Sequence, residues 1–310
     1  MRRPRLLVVA ALAAGLALTA LTALTACAGP SGPAAAAESP TCPGGQIRMG
    51  IEPFEDPAKL VPAAEILGDA LERRLSCPVQ VQVTDDYAAE VLAMRNDRLE
   101  IGIFGPLGYV FASERAGAEP VASFGTATGE LSAYTAGIWV PRGSDVTTVA
   151  QLRGRTLALG SVGSTSGDAL PRKALLDAGL APADVRVDYA GGHPEALLAL
   201  TNGTVDAAEI NSQQLASATA SGTFDPAGFR RVWTSAPIPN DPVTVRGNLD
   251  PAFKAAVTDA LLDLDPQAVG EIGALLDVTP PGKLVPVTRD TYAPLFELAR
   301  TLGLTEKDVQ

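Results

Sequence analysis

The chain has 310 residues, among them three cysteines and one histidine; 24 Lys and Arg stand against 35 Asp and Glu, a formal net charge of −11. With 46% hydrophobic and 19% charged residues it has the composition of a folding chain, long enough for one large domain or two modest ones. The acidic balance excludes a nucleic-acid binder, which needs a basic footprint. One histidine without clustered thiols argues against zinc or another transition metal. A single long apolar stretch, at the N-terminus, excludes a polytopic membrane protein.

That stretch reads as an export signal over 1–26. Arg2, Arg3 and Arg5 precede an almost pure run of Leu, Ala, Val and Thr. The run closes on Leu24-Thr25-Ala26-Cys27, which resembles the lipobox of lipoprotein signals. Cys27 is then the lipidated first residue of the mature chain, and acyl chains tether the body to the outer face of the membrane. An uncleaved anchor is the alternative; both place the body outside the cytoplasmic membrane. Residues 27–45, rich in Ala, Pro, Gly and Ser, read as a flexible linker. Cys42 and Cys77 each precede a strand candidate, and adjacent strands would join them in a disulfide, as the exported compartment permits. Two free thiols are the other reading.

Beyond the linker, short strands alternate with amphipathic helices. Ile47–Gly50 is a strand; Asp56-Pro57 caps a helix whose apolar residues Leu60, Ala63, Ala64, Leu67, Leu71 and Leu75 share a face. Val79, Val81 and Val83 alternate with Gln80 and Gln82 as a strand. Asp86 caps the next helix, Ile101–Phe104 is a strand, Gly105-Pro106-Leu107 opens another helix, and Val121–Phe124 and Ala136–Val140 are strands. After Pro141 the pattern restarts: helix Val149–Leu152, strand Thr156–Leu159, loop Gly160–Gly167, helix Ala169–Ala178, strand Val185–Tyr189, helix Pro194–Thr201, strand Val205–Ala208, helix Gln213–Ser221 and strands Arg231–Trp233 and Val243–Val245. The remainder reads as mostly helix. Such alternation predicts an α/β protein with parallel sheets flanked by helices. Two lobes are expected, lobe 1 over 46–139 plus 240–310 and lobe 2 over 140–239, with a ligand cleft between them.

The loop Gly160–Asp168 is the most informative segment. It follows a strand and opens a helix; its glycines allow close backbone approach, free amides point outward, and Ser164, Thr165 and Ser166 add three hydroxyl donors. This is a site for an oxyanion gripped by neutral dipoles, although a lone Ser or Thr here would read as an ordinary cap. It is no nucleotide-hydrolase phosphate loop, because Asp168 stands where lysine is required after Gly167.

Ser164-Thr165-Ser166-Gly167, Gly192-His193, Asn202–Ala208 and Ser235–Pro242, together with Asp86-Tyr87-Ala88 and Ile101–Tyr109, resemble the phosphate/phosphite/phosphonate-binding family of ABC-transporter substrate-binding proteins. The likeness runs over most of 47–262. It implies a two-lobed, type II-like periplasmic-binding-protein fold, each lobe a mixed, mostly parallel sheet flanked by helices. It also implies ligand-binding roles. Ser164, Thr165 and Ser166 hold the phospho oxygens. His193 donates to another oxygen, Tyr87 and Tyr134 close the cleft, and Asp241 accepts the proton of a partly protonated phospho group. Read as single residues, His193 also suits a buried structural histidine, the tyrosines core packing, and Asp241 a turn before Pro242. Members that take aminoalkylphosphonates carry a carboxylate near the position of Gln213, which is uncharged here, and this favours phosphite, methylphosphonate or phosphate. Glu209 is near in sequence, but its direction is open.

The expectation is therefore a monomeric, membrane-tethered extracytoplasmic lipoprotein that captures a small phospho oxyanion by hinge closure and delivers it to an ABC permease. It is not an enzyme and uses no cofactor, metal or nucleic acid. A sulfonate, taurine or thiamine-precursor binder shares the architecture, and a sensor lipoprotein that feeds no transporter has the same sequence features. A secreted serine hydrolase is more remote, because the middle of Gly163–Gly167 is Thr165, not serine.

Overall fold

The computed structural model describes residues 41–304. The signal at 1–26, the lipidation site Cys27 and the linker up to residue 40 lie outside the described residues.

Strand β1 (Ile47–Ile51) leads to helix α1 (Pro57–Leu75), and β2 (Val79–Val83) to α2 (Tyr87–Arg95). Next come β3 (Ile101–Ile103), α3 (Pro106–Ala116) and β4 (Glu119–Thr126). Two-residue β5 (Ala133–Tyr134) carries the chain to β6 (Gly137–Pro141), β7 (Thr156–Leu159) and, through a π-helical turn at Thr165–Ala169, to α4 (Leu170–Asp177). Strand β8 (Arg186–Tyr189), α5 (His193–Thr201), β9 (Ala207–Glu209), α6 (Ser212–Ala220) and β10 (Phe229–Thr234) follow. The chain returns through β11 (Ile238–Pro239) to β12 (Pro242–Val245), α7 (Pro251–Leu262), α8 (Pro266–Leu275), β13 (Pro281–Pro286) and α9 (Ala293–Leu302).

These strands form two principal sheets. The six-stranded one has the order β13-β4-β12-β3-β1-β2 and the five-stranded one β10-β6-β9-β7-β8. In the first, apolar side chains of α1, α7 and α8 cover one face, while α2, α3 and α9 build a second core on the other. In the second, the alternation of a half-pleat decides the partners: Ile138, Val140, Leu157 and Leu159 face α4, whereas Trp139 and Ala158 face α5 and α6.

The local signals explain the elements. Asp56 accepts a hydrogen bond from the Ala58 amide and Pro57 opens α1, whose buried stripe is the one read from the sequence. Asp86 accepts from Ala89 N at 2.6 Å, which sets Tyr87 as the first residue of α2. Asn211 caps α6 by accepting from Gln214 N at 2.7 Å.

The sheets are mixed and flanked by helices, as expected, with parallel pairing at β2-β1-β3 and β8-β7-β9; the strands that cross between the sheets re-enter antiparallel. The strand read at Ala136–Val140 does not close the first unit, because β6 pairs with β9 and β10 of the second sheet. The tail is mostly helix, as read, with one strand besides. Pro281–Pro286 adds β13 at the sheet edge, where prolines that cannot donate to a ladder are tolerated. The crossings themselves pair with each other, Ile238 with Tyr134 and Pro239 with Ala133.

Cys42 and Cys77 form a disulfide, 35 residues apart, that ties the start of β1 to the start of β2. A cross-link closing a loop of that length contributes about 3–4 kcal/mol through the unfolded chain. Replacing both cysteines by serine is expected to lower the melting temperature by about 5–10 °C; calorimetry that finds no change would show that the bridge constrains nothing the unfolded chain explores.

Candidate functional site

The cleft opens where the parallel strands end. Glu52 follows β1, the Gly160–Gly167 loop follows β7, His193 starts the helix after β8, and Asn211 follows β9. This is the end of an α/β sheet where helix N-termini gather and ligands are met. The cleft is narrow and is walled by Glu52, Phe54, Glu55, Tyr87, Tyr134, Ser164, Thr165, Ser166, His193, Asn211, Gln213, Gln214, Asp241 and Leu275. All eight residues singled out for ligand contact stand among them. No lysine or arginine does.

The hydroxyl segment is buried and held from several sides. Ser164 caps the π-helical turn, accepting from Gly167 N at 3.1 Å, and its Oγ lies 3.3 Å from His193 Nε2. Thr165 Oγ1 accepts from Leu107 N at 2.8 Å, in the first turn of α3. Asn211 Nδ2 donates to Ser166 Oγ at 3.2 Å. Across the cleft Tyr87 faces Ser164, and Tyr134 faces Ser166 and Thr165, near enough for the hydroxyls to offset a little of the upward push on each phenol. Burial holds both phenols well above their usual range. Gly167 is needed for this closeness: a Cβ there would stand 2.8 Å from His193 Cε1 and 3.0 Å from Ser164 Oγ.

His193 is fixed from behind. Its Nδ1 is 2.6 Å from Glu209 Oε1, and Glu209 is fully buried. Burial pulls the imidazole pKa down, but the carboxylates of Glu209 first, then Glu55 and Asp241, together more than offset this, so the net shift is upward. Glu209 therefore supports the histidine instead of facing the cleft. Gln213 is engaged too, its Nε2 donating to Asn240 Oδ1 at 2.7 Å and to the Leu276 carbonyl at 3.2 Å.

The opposite wall is acidic. Burial pushes Asp241 up to about 7, with His193 acting in the other direction. Glu52 is held well above its usual range by burial, then by the charges of Asp241 and Glu90, with the Gly105 backbone offsetting part of it. Glu55 accepts from Ser217 Oγ of α6 at 3.3 Å and pairs with Lys59 at 3.5 Å. Sequence reasoning missed Glu52, Glu55, Asn211 and Gln214. For Glu52 and Asn211 the available signal was positional, since they follow the ends of β1 and β9; Glu55, four residues past β1, and Gln214, inside the first turn of α6, carried none.

Two mixed sheets joined by paired crossing strands, with a polar cleft at the strand ends, make this a protein of the periplasmic-binding-protein class. A family model described as "ABC transporter, phosphonate, periplasmic substrate-binding protein" matches residues 49–292, and the chain belongs to that family. It is 26% identical over 222 residues to the phosphonates-binding periplasmic protein of Escherichia coli (strain K12), covering 70% of this chain and 65% of that one. It is 25% identical over 200 residues to the phosphate-import protein PhnD of Mycolicibacterium smegmatis, covering 61% of this chain and 62% of that one. The chain thus spans a little under two thirds of these relatives. The fold matches that of PhnD1 from Prochlorococcus marinus (MIT 9301), solved with methylphosphonate, at a TM-score of 0.73 and 18% identity, over 86% of this chain and all of that one.

The raised groups have a consequence for stability. In the folded protein Asp241 keeps a proton up to about pH 7 that the unfolded chain releases near pH 4, so stability is lost as pH rises through that window. His193, also raised, contributes stability that is lost as pH climbs through its folded pKa, which is the same sign. The ligand-free melting temperature is expected to rise by about 3 °C or more on acidification from about pH 8 to pH 6, and Asp241→Asn to flatten that slope. A melting temperature that falls over this range would contradict the buried, proton-retaining state of Asp241.

Proposed function

We propose that this protein is the extracytoplasmic solute-binding component of an ABC importer, tethered through a lipidated Cys27, and that it captures a small phospho oxyanion such as phosphite, a simple phosphonate or phosphate. The halves built on the two sheets close over the ligand about the paired strands β5 and β11, and the loaded protein then meets an ABC permease. The observation that carries this reading is the donor set: three buried hydroxyls at a helix start, backed by His193 and faced by two tyrosines, in a cleft with no lysine or arginine. Such a wall suits a tetrahedral oxyanion held by dipoles.

Asp241 supplies the selection. A phospho group near neutral pH still carries a proton to donate to a carboxylate, whereas sulfate carries none. Two bare anions would then face each other in a dry cleft unless Asp241 first takes up a proton, a cost that grows as pH rises above about 7 and amounts to about tenfold in affinity at pH 8. The uncharged Gln213, already bonded to Asn240 and Leu276, favours ligands without an ammonium arm on that side.

Calorimetry with phosphite, methylphosphonate, phosphate, aminoethylphosphonate, sulfate and taurine tests the reading, since only a true ligand binds and raises the melting point by mass action. Thr165→Val with Ser166→Ala is expected to weaken phospho-ligand binding at least about tenfold without unfolding the protein; unchanged affinity would remove the hydroxyl segment from the site. Asp241→Asn is expected to narrow the phosphite-to-sulfate ratio. In the native protein the same ratio should shrink as pH falls from about 8 to 5, because Asp241 then brings its own proton to sulfate. A ratio independent of both changes would sink the account of selectivity.

A further inference from the structure

Glu52 is unused by the mechanism above. It is 2% exposed, lines the same cleft, and its Oε2 has no hydrogen-bond partner. Unpaired buried carboxylates are costly, and proteins avoid them by pairing or by keeping the proton. No pairing is on offer here. The cleft has no lysine or arginine, and the titratable groups that act on Glu52 are Asp241 before β12, Glu90 in α2, Tyr87 at the start of α2 and Tyr134 in β5, none of them a cation. Glu55 and His193 line the cleft as well; Glu55 is taken by Lys59 and Ser217, and His193 by Glu209. The carboxyl lies against the first turn of α3. A Cβ on Gly105 would collide with Glu52 Oε1, and one on Gly108 would stand 3.2 Å from Oε2, so two glycines leave room for the whole group.

We propose that Glu52 is a second selecting residue of this cleft: a carboxylic acid that holds its proton and donates it from Oε2 to an oxygen of the bound phospho anion. The inference rests on the phospho-oxyanion reading of the cleft. It gives the site one acid that donates and one carboxylate, Asp241, that accepts, so an anion carrying a single proton satisfies both. The upward push on Glu52 by burial and by its acidic neighbours is consistent with the retained proton. A phospho ligand with an ammonium arm would instead need Glu52 ionised.

Two variants and one spectrum test this. Glu52→Gln keeps the shape and a donor, so its affinity for phosphite or methylphosphonate is expected to stay within about threefold of wild type. Glu52→Leu removes the donor and is expected to weaken both ligands about tenfold or more. In the ligand-free protein at neutral pH, the infrared carbonyl band of a protonated carboxyl is expected to lose intensity in Glu52→Gln. A gain of about tenfold or more in Glu52→Gln would show a charged Glu52 repelling the ligand, and would overturn the inference. So would unchanged binding by Glu52→Leu, an unchanged infrared band, or a selective loss of aminoethylphosphonate binding in Glu52→Gln. If the wild-type protein binds none of the phospho anions, the reading of the cleft falls and this inference with it; if it binds them but the variants behave otherwise than stated, only the role of Glu52 falls.

Discussion

A cleft walled by Glu52, Glu55 and Asp241, with no lysine or arginine among its lining residues, admits an anion only through neutral donors and retained protons. That constraint orders the rest of the structure. It calls for several donors on one short segment, which the Ser164–Ser166 turn provides, and for a backbone free enough to crowd them, which Gly167 provides. It calls also for a histidine held firmly in place, and Glu209, 2.6 Å from His193 Nδ1, does this from behind. Asp241, pushed up to about 7 by burial, gains and loses its proton in the neutral range. Phospho groups ionise in the same range, so the ligand class proposed for the cleft is the one whose protons match it.

The two sheets share the task unequally. The five-stranded sheet presents the hydroxyl turn, His193 and Asn211 at its strand ends. The six-stranded sheet brings Glu52, Tyr87 and Asp241, and its helix α3 donates the Leu107 amide to Thr165. Tyr134 belongs to neither, since it lies in β5, paired with Ile238 of β11. Asn240 and Asp241 follow that second crossing directly. Asn240 is fully buried, bonded to Gln213 and Ser132 through its side chain and to Ser123 and Tyr292 through its carbonyl. The cleft-lining residues Tyr134 and Asp241 thus sit on or beside the segments about which the halves are proposed to turn.

Much of this was legible in the residues. Strand Thr156–Leu159, the capped helix after Asp56 and the loop-to-helix start at 164–167 carry strong local signals: alternation, cap chemistry and glycine spacing. What escaped had no local signature. β5 and β11 are two residues each, too short for a period to show. β13 is bounded by prolines and exists because β4 offers it an edge. Glu52 looks like any polar residue after a strand, and only the tertiary approach of Gly105, Gly108 and Asp241 makes it a buried acid. Glu209 was nearby in sequence but without direction until the close of β9 turned it toward His193 Nδ1.

The disulfide at the head of the fold has a mechanical meaning. Tension applied to the chain ahead of Cys42 does not peel β1 away alone, because Cys42 is bonded to Cys77 and the load divides between β1 and β2. Those strands run parallel, paired from Ile47 with Val79 to Ile51 with Val83. Force entering both at the same end and directed along the strands would have to shear them together against β3 and α1, breaking several ladder hydrogen bonds at once. A body tugged from its N-terminal side would therefore keep its cleft geometry under strain that would otherwise begin to unravel the sheet carrying Glu52.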